Sequence, residues 1–373
     1  MKAGIYIHIP FCLGKCRYCS FNSVPYKEDI ARRYLEALKA EISACPHDIE
    51  PTSLYIGGGT PTALPMDGLL SVLDAVRARF TLREGMEATV EANPGTLPGL
   101  ELKRLRGAGI NRVSLGAQSF RPEELKMLGR LHKAHDIGLA VERLRGAGIG
   151  NIGLDLIYSL PGQDIAGWVS NVEAALTLSP AHLSIYDLTL EEGTPLHAEV
   201  TAGRLTMPPE EVQVEMYLKA VEVLEGAGYI RYEVSNFARP GYECVHNINY
   251  WSAGEYAGFG AGAYSCLNGT RSKDMDDVES YTRLAAAGVS AAETTETLTP
   301  VELEREYVML GLRKAGGISQ DDYYRRFGHG FIERNRASVD MLVGAGLIDV
   351  SGGRIRLTMN GVLRTNAVTR EFF

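Results

Sequence analysis

The sequence lacks several features that would assign it quickly to a class. No stretch of its 373 residues approaches the roughly 20 apolar residues that span a bilayer. The first apolar run, "AGIYIHI", is too short for a signal peptide and is broken at Pro10. Acidic residues outnumber basic ones and give a net charge of −8, so the composition gives no reason to expect nucleic-acid binding. We therefore expect a cytoplasmic globular protein with no transmembrane segment and no nucleic-acid partner, and leave peripheral membrane contact open.

Cysteines are few, yet half of them are clustered. Three of the six, Cys12, Cys16 and Cys19, lie in "IHIPFCLGKCRYCSFNS", directly after a predicted strand. Disulfides are rare in the cytoplasm, where clustered cysteines more often bind metal. Three thiolates spaced C-x3-C-x2-C can hold three corners of a [4Fe–4S] cluster and leave the fourth iron open. The alternative is a zinc site, which needs a fourth ligand such as His8. The spacing favours the cluster.

Buried strands alternate with amphipathic helices through the first two thirds of the chain. "RLRGAGI" occurs at 104–110 and again at 143–149, each time ending a helix with glycine before a β-type run. Such alternation predicts right-handed βαβ units and a parallel sheet. Six units are too few for a closed eightfold barrel, so the fold class is α/β, a partial (β/α)6 barrel. The predicted strands are "GIYIHI", "SLYIGG", "ATVEAN", "RVSLGAQ", "NIGLDLIY" and "HLSIYDLTL".

The chain divides into three predicted parts. Residues 1–230 form the barrel core, 231–285 an extension that contains "HNINYW", and 286–373 a small C-terminal domain. "AAAGVSAAETTET" is interpreted as a linker. Thr299, Pro300 and Glu302 then predict a capping-box helix start. Short helices and a "DVSGGRIRL" hairpin indicate a winged-helix-like domain, whose near-neutral charge favours a packing or lid role over DNA binding.

Polar and glycine-rich motifs follow the predicted strands, and in such folds the carboxyl ends of the strands carry the reactive groups. "GGGTP" allows close backbone approach to a ligand. Glu91 could accept hydrogen bonds from a ribose or an ammonium, or be a solvated loop carboxylate. Gln118, Arg130 and Asp155 could orient a nucleoside and a carboxylate. Tyr6 and Tyr18 could pack around the cluster or belong to the core.

The segment "CLGKCRYC" resembles the radical S-adenosylmethionine superfamily. In that superfamily the open iron chelates the methionine end of S-adenosylmethionine, and reduction yields a 5′-deoxyadenosyl radical. The match extends along the chain to the HemW family, the heme-chaperone relatives of oxygen-independent coproporphyrinogen oxidase. The motifs that carry it include "IHIPFCLGKCRYCSF", "IGGGTPT", "EANPGT", "NRVSLGAQSF", "DLIYSLPGQ" and "HNINYW".

The resemblance implies a set of cofactor contacts. The [4Fe–4S] cluster would be held by Cys12, Cys16 and Cys19. The implied S-adenosylmethionine contacts are Tyr6, Tyr18, Gly58, Gly59, Thr60, Glu91, Gln118, Arg130 and Asp155.

Two departures from the oxidase pattern favour a carrier over an enzyme. The oxidase has a fourth cysteine two places after the third, and here that place is Phe21. The oxidase also has an N-terminal extension, whereas here the cluster strand starts almost at Met1. The favoured function is a chaperone that binds heme and transfers it to acceptor proteins. The alternative is a radical enzyme acting on a porphyrinogen, although coproporphyrinogen dehydrogenase activity is not expected. Radical modification of tRNA or protein is disfavoured.

The segment "CVHNINYW" is the candidate heme contact. The resemblance implies a heme role for it, and histidine is a common axial ligand, so we predict that His246 contacts heme. The competing interpretation is a core turn in which His246 is hydrogen-bonded. Cys244 is a second candidate ligand. Cys45 precedes a proline as in some heme motifs but is interpreted as a helix-end residue, and Cys266 as core.

Overall fold

The structure is a computed structural model that describes residues 1–373. The strands are β1 (Lys2–Ile9), β2 (Phe11–Cys12), β3 (Val24–Pro25), β4 (Glu50–Gly58), β5 (Ala88–Ala92), β6 (Arg112–Gln118), β7 (Asn151–Tyr158), β8 (His182–Asp187), β9 (Ile230–Arg231), β10 (Asn236–Ala238), β11 (Tyr256–Phe259), β12 (Tyr264–Leu267), β13 (Thr270–Asp274), β14 (Ala292–Thr297), β15 (Ile318–Ser319), β16 (Ile348–Ser351) and β17 (Arg354–Leu357).

The helices alternate with these strands. They are α1 (Glu28–Ala44), α2 (Met66–Arg79), α3 (Leu102–Gly107), α4 (Pro122–Leu128), α5 (Ala134–Gly146), α6 (Ile165–Thr177), α7 (Pro195–Thr201), α8 (Glu210–Gly226), α9 (Val245–Trp251), α10 (Val278–Ala286), α11 (Pro300–Gly311), α12 (Gln320–Phe327), α13 (Phe331–Arg334), α14 (Arg336–Gly344), α15 (Met359–Val362) and α16 (Thr365–Arg370). None of them combines the length and the apolar character that crossing a membrane requires.

The centre of the molecule is one mixed sheet of 12 strands in the order β14-β13-β12-β11-β1-β4-β5-β6-β7-β8-β10-β9. The strands β1, β4, β5, β6, β7 and β8 are parallel neighbours, as the alternating pattern predicts. A seventh parallel strand, β11, was not predicted and lies beside β1. Antiparallel strands then extend both edges of the sheet. The fold is thus a partial barrel flanked by helices.

The helix-to-strand junctions form as the repeated phrase indicates. The second glycine of each "GAG" has a left-handed backbone, with φ of 85° at Gly109 and 84° at Gly148. Glycine adopts this conformation without the steric cost of a Cβ, so it can reverse the chain after a helix. The main core consists of 61 buried apolar residues, from these strands and from the helices that pack on them.

The segment interpreted as a linker is ordered, which corrects that prediction. Residues Ala292–Thr297 form β14, which pairs antiparallel with β13 at the edge of the large sheet. All six of its residues are exposed. The alternating threonines suit a strand, but a strand with no buried face shows no hydrophobic period in the sequence.

The C-terminal domain has its own core of 11 buried residues, between Tyr307 and Val368. The predicted capping box forms: Thr299 Oγ1 accepts from the Glu302 backbone N–H, and Glu302 accepts from that of Thr299 at 2.7 Å. A three-stranded sheet in the order β15-β17-β16 packs with the short helices, and its β16–β17 hairpin is the predicted one.

Candidate cofactor site at the carboxyl ends of the strands

One cavity of about 380 Å³ lies at the carboxyl ends of the parallel strands and extends into the barrel. It brings together almost all of the residues predicted from the sequence. Those that line it are Cys12, Cys16, Tyr18, Cys19, Gly58, Gly59, Thr60, Glu91, Gln118, Arg130 and Asp155. Tyr6 and His246 are not among the lining residues.

The cysteine loop is held against the barrel by backbone contacts at several points. Its first cysteine lies in β2, which pairs with β3, and the Tyr26 N–H donates to Cys12 O at 2.8 Å. The Arg17 N–H donates to Leu128 O at 3.0 Å, and the Arg17 guanidinium pairs with Glu199 at 2.5 Å. All three thiols are free, and burial raises the pKa of Cys12 and of Cys19.

The "GGGTP" loop lies so close to the cysteine loop that only glycine fits at two positions. Gly59 N–H donates to Ile9 O at 2.8 Å, and a Cβ at Gly59 would lie 2.8 Å from Phe11 O and 3.0 Å from Cys12 Sγ. Gly58 has a φ of 116° and faces the His8 ring. At these two positions the loop therefore supplies backbone, rather than side chains, at the edge of the cavity.

Arg130 is directed at the cysteine loop. Its Nη1 donates to Cys16 Sγ at 3.3 Å, and its Nη2 donates to Gly116 O at 2.6 Å and to the Asn93 side chain. Beside it, β6 is irregular between Gly116 and Gln118, and Gln118 has a φ of 65°. This left-handed backbone is uncommon outside glycine, and such strain concentrates at functional sites.

Two half-buried carboxyl groups, those of Glu91 and Asp155, also line the cavity. Glu91 accepts from Tyr55 Oη at 2.8 Å and from Gly58 N–H at 3.1 Å. Burial raises the pKa of Glu91 to about 7, although both hydrogen bonds act against that rise. Asp155 accepts from Ser114 Oγ at 3.0 Å, and burial raises its pKa as well.

The donor set of this cavity suits an iron–sulfur cluster with an attached cationic nucleoside. No three His, Cys, Asp or Glu side chains converge where a single metal ion would be held. A cluster instead offers a separate iron to each thiolate, so the three cysteines need not meet at one point. The two carboxyl groups suit ammonium and ribose donors, and the arginine suits a carboxylate. Bound together, such a cluster and S-adenosylmethionine supply one-electron chemistry.

Tyr6 lies behind the cavity wall. Its Oη is 2.9 Å from His8 Nδ1, and its ring stacks on Tyr55 with centroids 6.2 Å apart. Tyr55, which none of the sequence motifs indicates as a contact, lines the cavity in its place. The contact of Tyr6 with S-adenosylmethionine therefore stays a prediction, and in this structure Tyr6 supports a lining residue.

His246 lies near the start of α9, against Ser53 of β4 and Gly4 of β1. It is 1% exposed, with Nδ1 2.8 Å from Ser53 Oγ and Nε2 3.0 Å from Tyr250 Oη. Burial lowers its pKa to about 3, with Arg112 adding to the effect, so the ring is neutral. Its heme contact stays a prediction, and the structure shows both ring nitrogens engaged. Cys244, the second candidate, is fully buried.

Further lining residues could have been found from the strand period. Successive side chains of a strand point to opposite faces, so residues two apart share a face. Gln118 and Gly116 thus place Ser114 and Arg112 on the inner face of β6, and both line the cavity. Asn247, which follows His246, lines it as well, and no local pattern in the sequence indicates that α9 reaches the barrel interior.

Comparisons with known proteins agree with this fold. Residues 6–175 match the model of the Radical SAM superfamily, and residues 298–364 match the HemN C-terminal domain. In solved structures the fold resembles coproporphyrinogen III oxidase (HemN) from Escherichia coli, described as a radical SAM enzyme. The TM-score is 0.85 at 22% identity, over 100% of this chain and 90% of that chain. Membership of the superfamily implies a [4Fe–4S] cluster and S-adenosylmethionine.

Relatives match over most or all of the chain. The protein named heme chaperone HemW from Escherichia coli (strain K12) is 38% identical over 70% of this chain and 69% of its own length. The mouse radical S-adenosyl methionine domain-containing protein 1, mitochondrial, is 34% identical over 86% of this chain and 75% of its own. Heme chaperone HemW from Bacillus subtilis (strain 168) is 38% identical over 100% of this chain and 99% of its own length. With that agreement from end to end, the chain belongs to the HemW family of radical SAM proteins.

Proposed function

We propose that this chain binds heme and transfers it to acceptor proteins in the cytoplasm. Full-length relatives carry the name heme chaperone HemW, and the chain shares both of its domains with a porphyrin-related fold. Under this proposal the radical site serves binding or regulation of heme rather than porphyrinogen oxidation. Free cysteines ready for metal suit a reducing compartment.

The proposal includes the cofactors and their ligands. A [4Fe–4S] cluster is assigned to Cys12, Cys16 and Cys19, whose loop is seated on the barrel by backbone contacts. S-adenosylmethionine is assigned to the cavity around Glu91 and Asp155. Its proposed contacts are those carried by the family motifs: Tyr6, Tyr18, Gly58, Gly59, Thr60, Glu91, Gln118, Arg130 and Asp155.

The observation that carries heme binding is a set of exposed apolar side chains on and beside the cysteine loop, which we call the rim: Phe21, which lines the cavity, with Leu13 and Leu131. Their exposed fractions are 54%, 68% and 70%. Phe21 occupies the place where the oxidase pattern has its fourth cysteine. Leu131 lies beside the cysteine loop, since a Cβ at Gly14 would be 3.3 Å from its Cδ1. A cluster of exposed large apolar side chains is typical of a contact surface, and the face of a porphyrin is apolar.

His246 is the proposed iron ligand, and the rim is the proposed first contact. In the present conformation the imidazole is enclosed between Ser53 and Tyr250. To ligate iron, one ring nitrogen of His246 must therefore give up its hydrogen bond to Ser53 or to Tyr250. The rim needs no such rearrangement, because its side chains already face solvent.

Heme titration of the cluster-loaded protein tests the proposal. We expect a saturable Soret band at one heme per chain, and at least tenfold weaker binding in the double variant Phe21→Ser, Leu131→Ser, because fully burying even one large apolar side chain is worth about 1.5–3 kcal/mol. Leu218→Ser is the matched control, since Leu218 is 38% exposed on α8. Heme binding that does not saturate, or rim and control variants of equal affinity, would contradict this account of the site.

A further inference from the structure

The floor of the cavity contains a buried cation without a partner. Arg112, the first residue of β6, lines the cavity and is 1% exposed. Its guanidinium forms no salt bridge, and its Nε is buried without a hydrogen-bond partner. A guanidinium has five donors and retains its charge, so it is unfavourable inside a protein unless an acceptor is present.

The acidic groups near Arg112 are already engaged elsewhere. Glu87 accepts from the backbone N–H groups of Val245 at 3.0 Å and His246 at 3.1 Å, at the start of α9. Asp155 accepts from Ser114 Oγ. The guanidinium is therefore left free to bind an anion that comes from outside the chain.

Four neighbouring strands, β5 to β8, each place a polar residue with an unsatisfied buried atom at the level of Arg112. In the sheet register, Arg112 pairs with Thr89 on one side and Asn151 on the other, and Gly153 pairs with His182. Each of the polar residues has a buried atom without a partner: Thr89 Oγ1, Arg112 Nε, Asn151 Oδ1 and His182 Nδ1. Buried polar groups in proteins are normally satisfied, so this layer of four unsatisfied atoms indicates a place for a polar ligand, and Arg112 is the one of these four residues that lines the cavity.

Space for that ligand is provided by the cavity, which reaches Arg112, Asp155 and Ser184 on three neighbouring strands. Gly153 lets two side chains approach the backbone of β7 closely, since a Cβ there would lie 3.5 Å from Arg112 Nη2 and 3.3 Å from His182 Nδ1. Arg112 is the only cation at this level, because His182 and His246 are both held neutral by burial, and the nearby carboxyl groups of Glu87 and Asp155 accept hydrogen bonds from other groups. The layer therefore selects an anion.

We propose that Arg112 and the polar layer around it bind a carboxylate group of a ligand that extends down the barrel, below the cluster and S-adenosylmethionine. The planar fork of arginine matches a carboxylate with two parallel hydrogen bonds. Arg112 is four residues before Gly116, whose carbonyl accepts from Arg130 beside Cys16. At about 3.3 Å per residue the site is roughly 13 Å below the cluster level. This depth favours a slender free acid over the short propionate arm of a heme that is held only at its first contact, the rim.

Ligand-dependent stability of the cluster-loaded chain tests this site. Sodium succinate and sodium glutarate are compared with sodium chloride at matched ionic strength, in thermal unfolding and calorimetry. We expect the two acids to raise the melting temperature, and binding to weaken about tenfold or more in Arg112→Met. Arg104→Met, which removes a half-exposed surface arginine, is the control that should retain wild-type binding. Arg112→Met should melt no lower than the wild type without acid, because it removes an unpaired buried charge.

Two further arms separate the sources of the carboxylate and keep the test decisive. If the small acids have no effect, but Arg112→Met weakens hemin binding and not that of hemin dimethyl ester, the carboxylate is a heme propionate and the site stands. If neither response appears, the proposal is overturned. If Arg112→Met does not fold, Arg112→Lys replaces it, since lysine retains the charge without the planar fork; acid binding equal to the wild type would then reject the site. Loss of the carboxylate-site proposal at Arg112 would not affect the proposal that heme binds at the rim, because the two are tested with different variants.

Discussion

Tyr55 Oη donates a 2.8 Å hydrogen bond to Glu91 Oε1, across the neighbouring strands β4 and β5. The Tyr55 ring also packs against His246, whose ring stacks on it with centroids 5.1 Å apart. Tyr55 thus joins the proposed S-adenosylmethionine site to the "HNINYW" helix α9. The two family motifs that the sequence shows 150 residues apart are one packed unit in the fold.

The pKa of Glu91 predicts proton release when S-adenosylmethionine binds. Since that pKa is about 7, the free carboxyl is mostly protonated at pH 6.5, and a cationic ligand selects the ionised form. We expect release of more than about half a proton per binding event at pH 6.5 and almost none at about pH 8.5. Calorimetry in buffers of different ionisation enthalpy measures this number.

Two variants assign that proton. Tyr55→Phe removes a hydrogen bond that favours the carboxylate, so it should raise the pKa of Glu91 further and extend the release to higher pH. Glu91→Gln should abolish the release. If Glu91→Gln still binds S-adenosylmethionine with an unchanged proton count, another group is responsible.

Replacing the clustered cysteines should remove the cluster. Cys12→Ser, Cys16→Ser and Cys19→Ser are each expected to lose the absorbance near ~400 nm after anaerobic reconstitution, because thiolates are the usual ligands of such clusters. Cys266→Ser, on β12, is the matched control and should retain full absorbance and iron content. A triple variant of the loop that still binds four irons would rule out this cluster site.

Gly59→Ala should push the "GGGTP" loop away from the cysteine loop at the edge of the cavity. The added methyl would lie 2.8 Å from Phe11 O and 3.0 Å from Cys12 Sγ, and neither group can move without displacing the cysteine loop. We expect reduced cluster occupancy and a loss of about 1–3 kcal/mol in the free energy of unfolding. Gly150→Ala is the control, since nothing lies within 4 Å of its Cβ position. Equal occupancy in the two variants would show that the close approach is not required.

The proposed ligation of heme iron by His246 is tested with variants of His246 and of its hydrogen-bond partner Tyr250. His246→Ala should weaken or alter heme binding while the cluster absorbance remains, and should lower the free energy of unfolding by about 2–4 kcal/mol, since a buried, doubly hydrogen-bonded ring is lost. Tyr250→Phe removes only the partner of Nε2, so it should strengthen heme binding. Unchanged heme spectra and affinity in both variants would leave His246 as a core residue.

The sequence predicts the barrel well because its signals are local. Six buried strands, the left-handed glycines and the Thr299 capping box depend on residues only a few positions apart, and all are present. The strand-end motifs converge because parallel strands bring their carboxyl ends to one edge. By contrast, the strand β14 has no buried face, so it looked like a linker.

The interior of the barrel was harder to predict because its contacts are long-range. His246 is enclosed by Ser53 and packs against Gly4, which are about 200 residues earlier in the chain. Arg112 looked like an ordinary charged residue before a strand, and only the alternation of β6 indicates that it points inward. The sequence motifs indicate the residues at the edge of the cavity, whereas its floor is visible only in the tertiary structure.

The most direct test of the central claim is an anaerobic assay of the reconstituted chain with reductant, S-adenosylmethionine and coproporphyrinogen. A genuine oxygen-independent oxidase serves as positive control, porphyrin products are separated by chromatography, and a parallel sample is titrated with heme. We predict product only with the control, together with stoichiometric heme binding by this chain. Protoporphyrinogen formed at a rate comparable to the control, with no retained heme, would contradict the carrier account and assign the cavity to porphyrinogen oxidation.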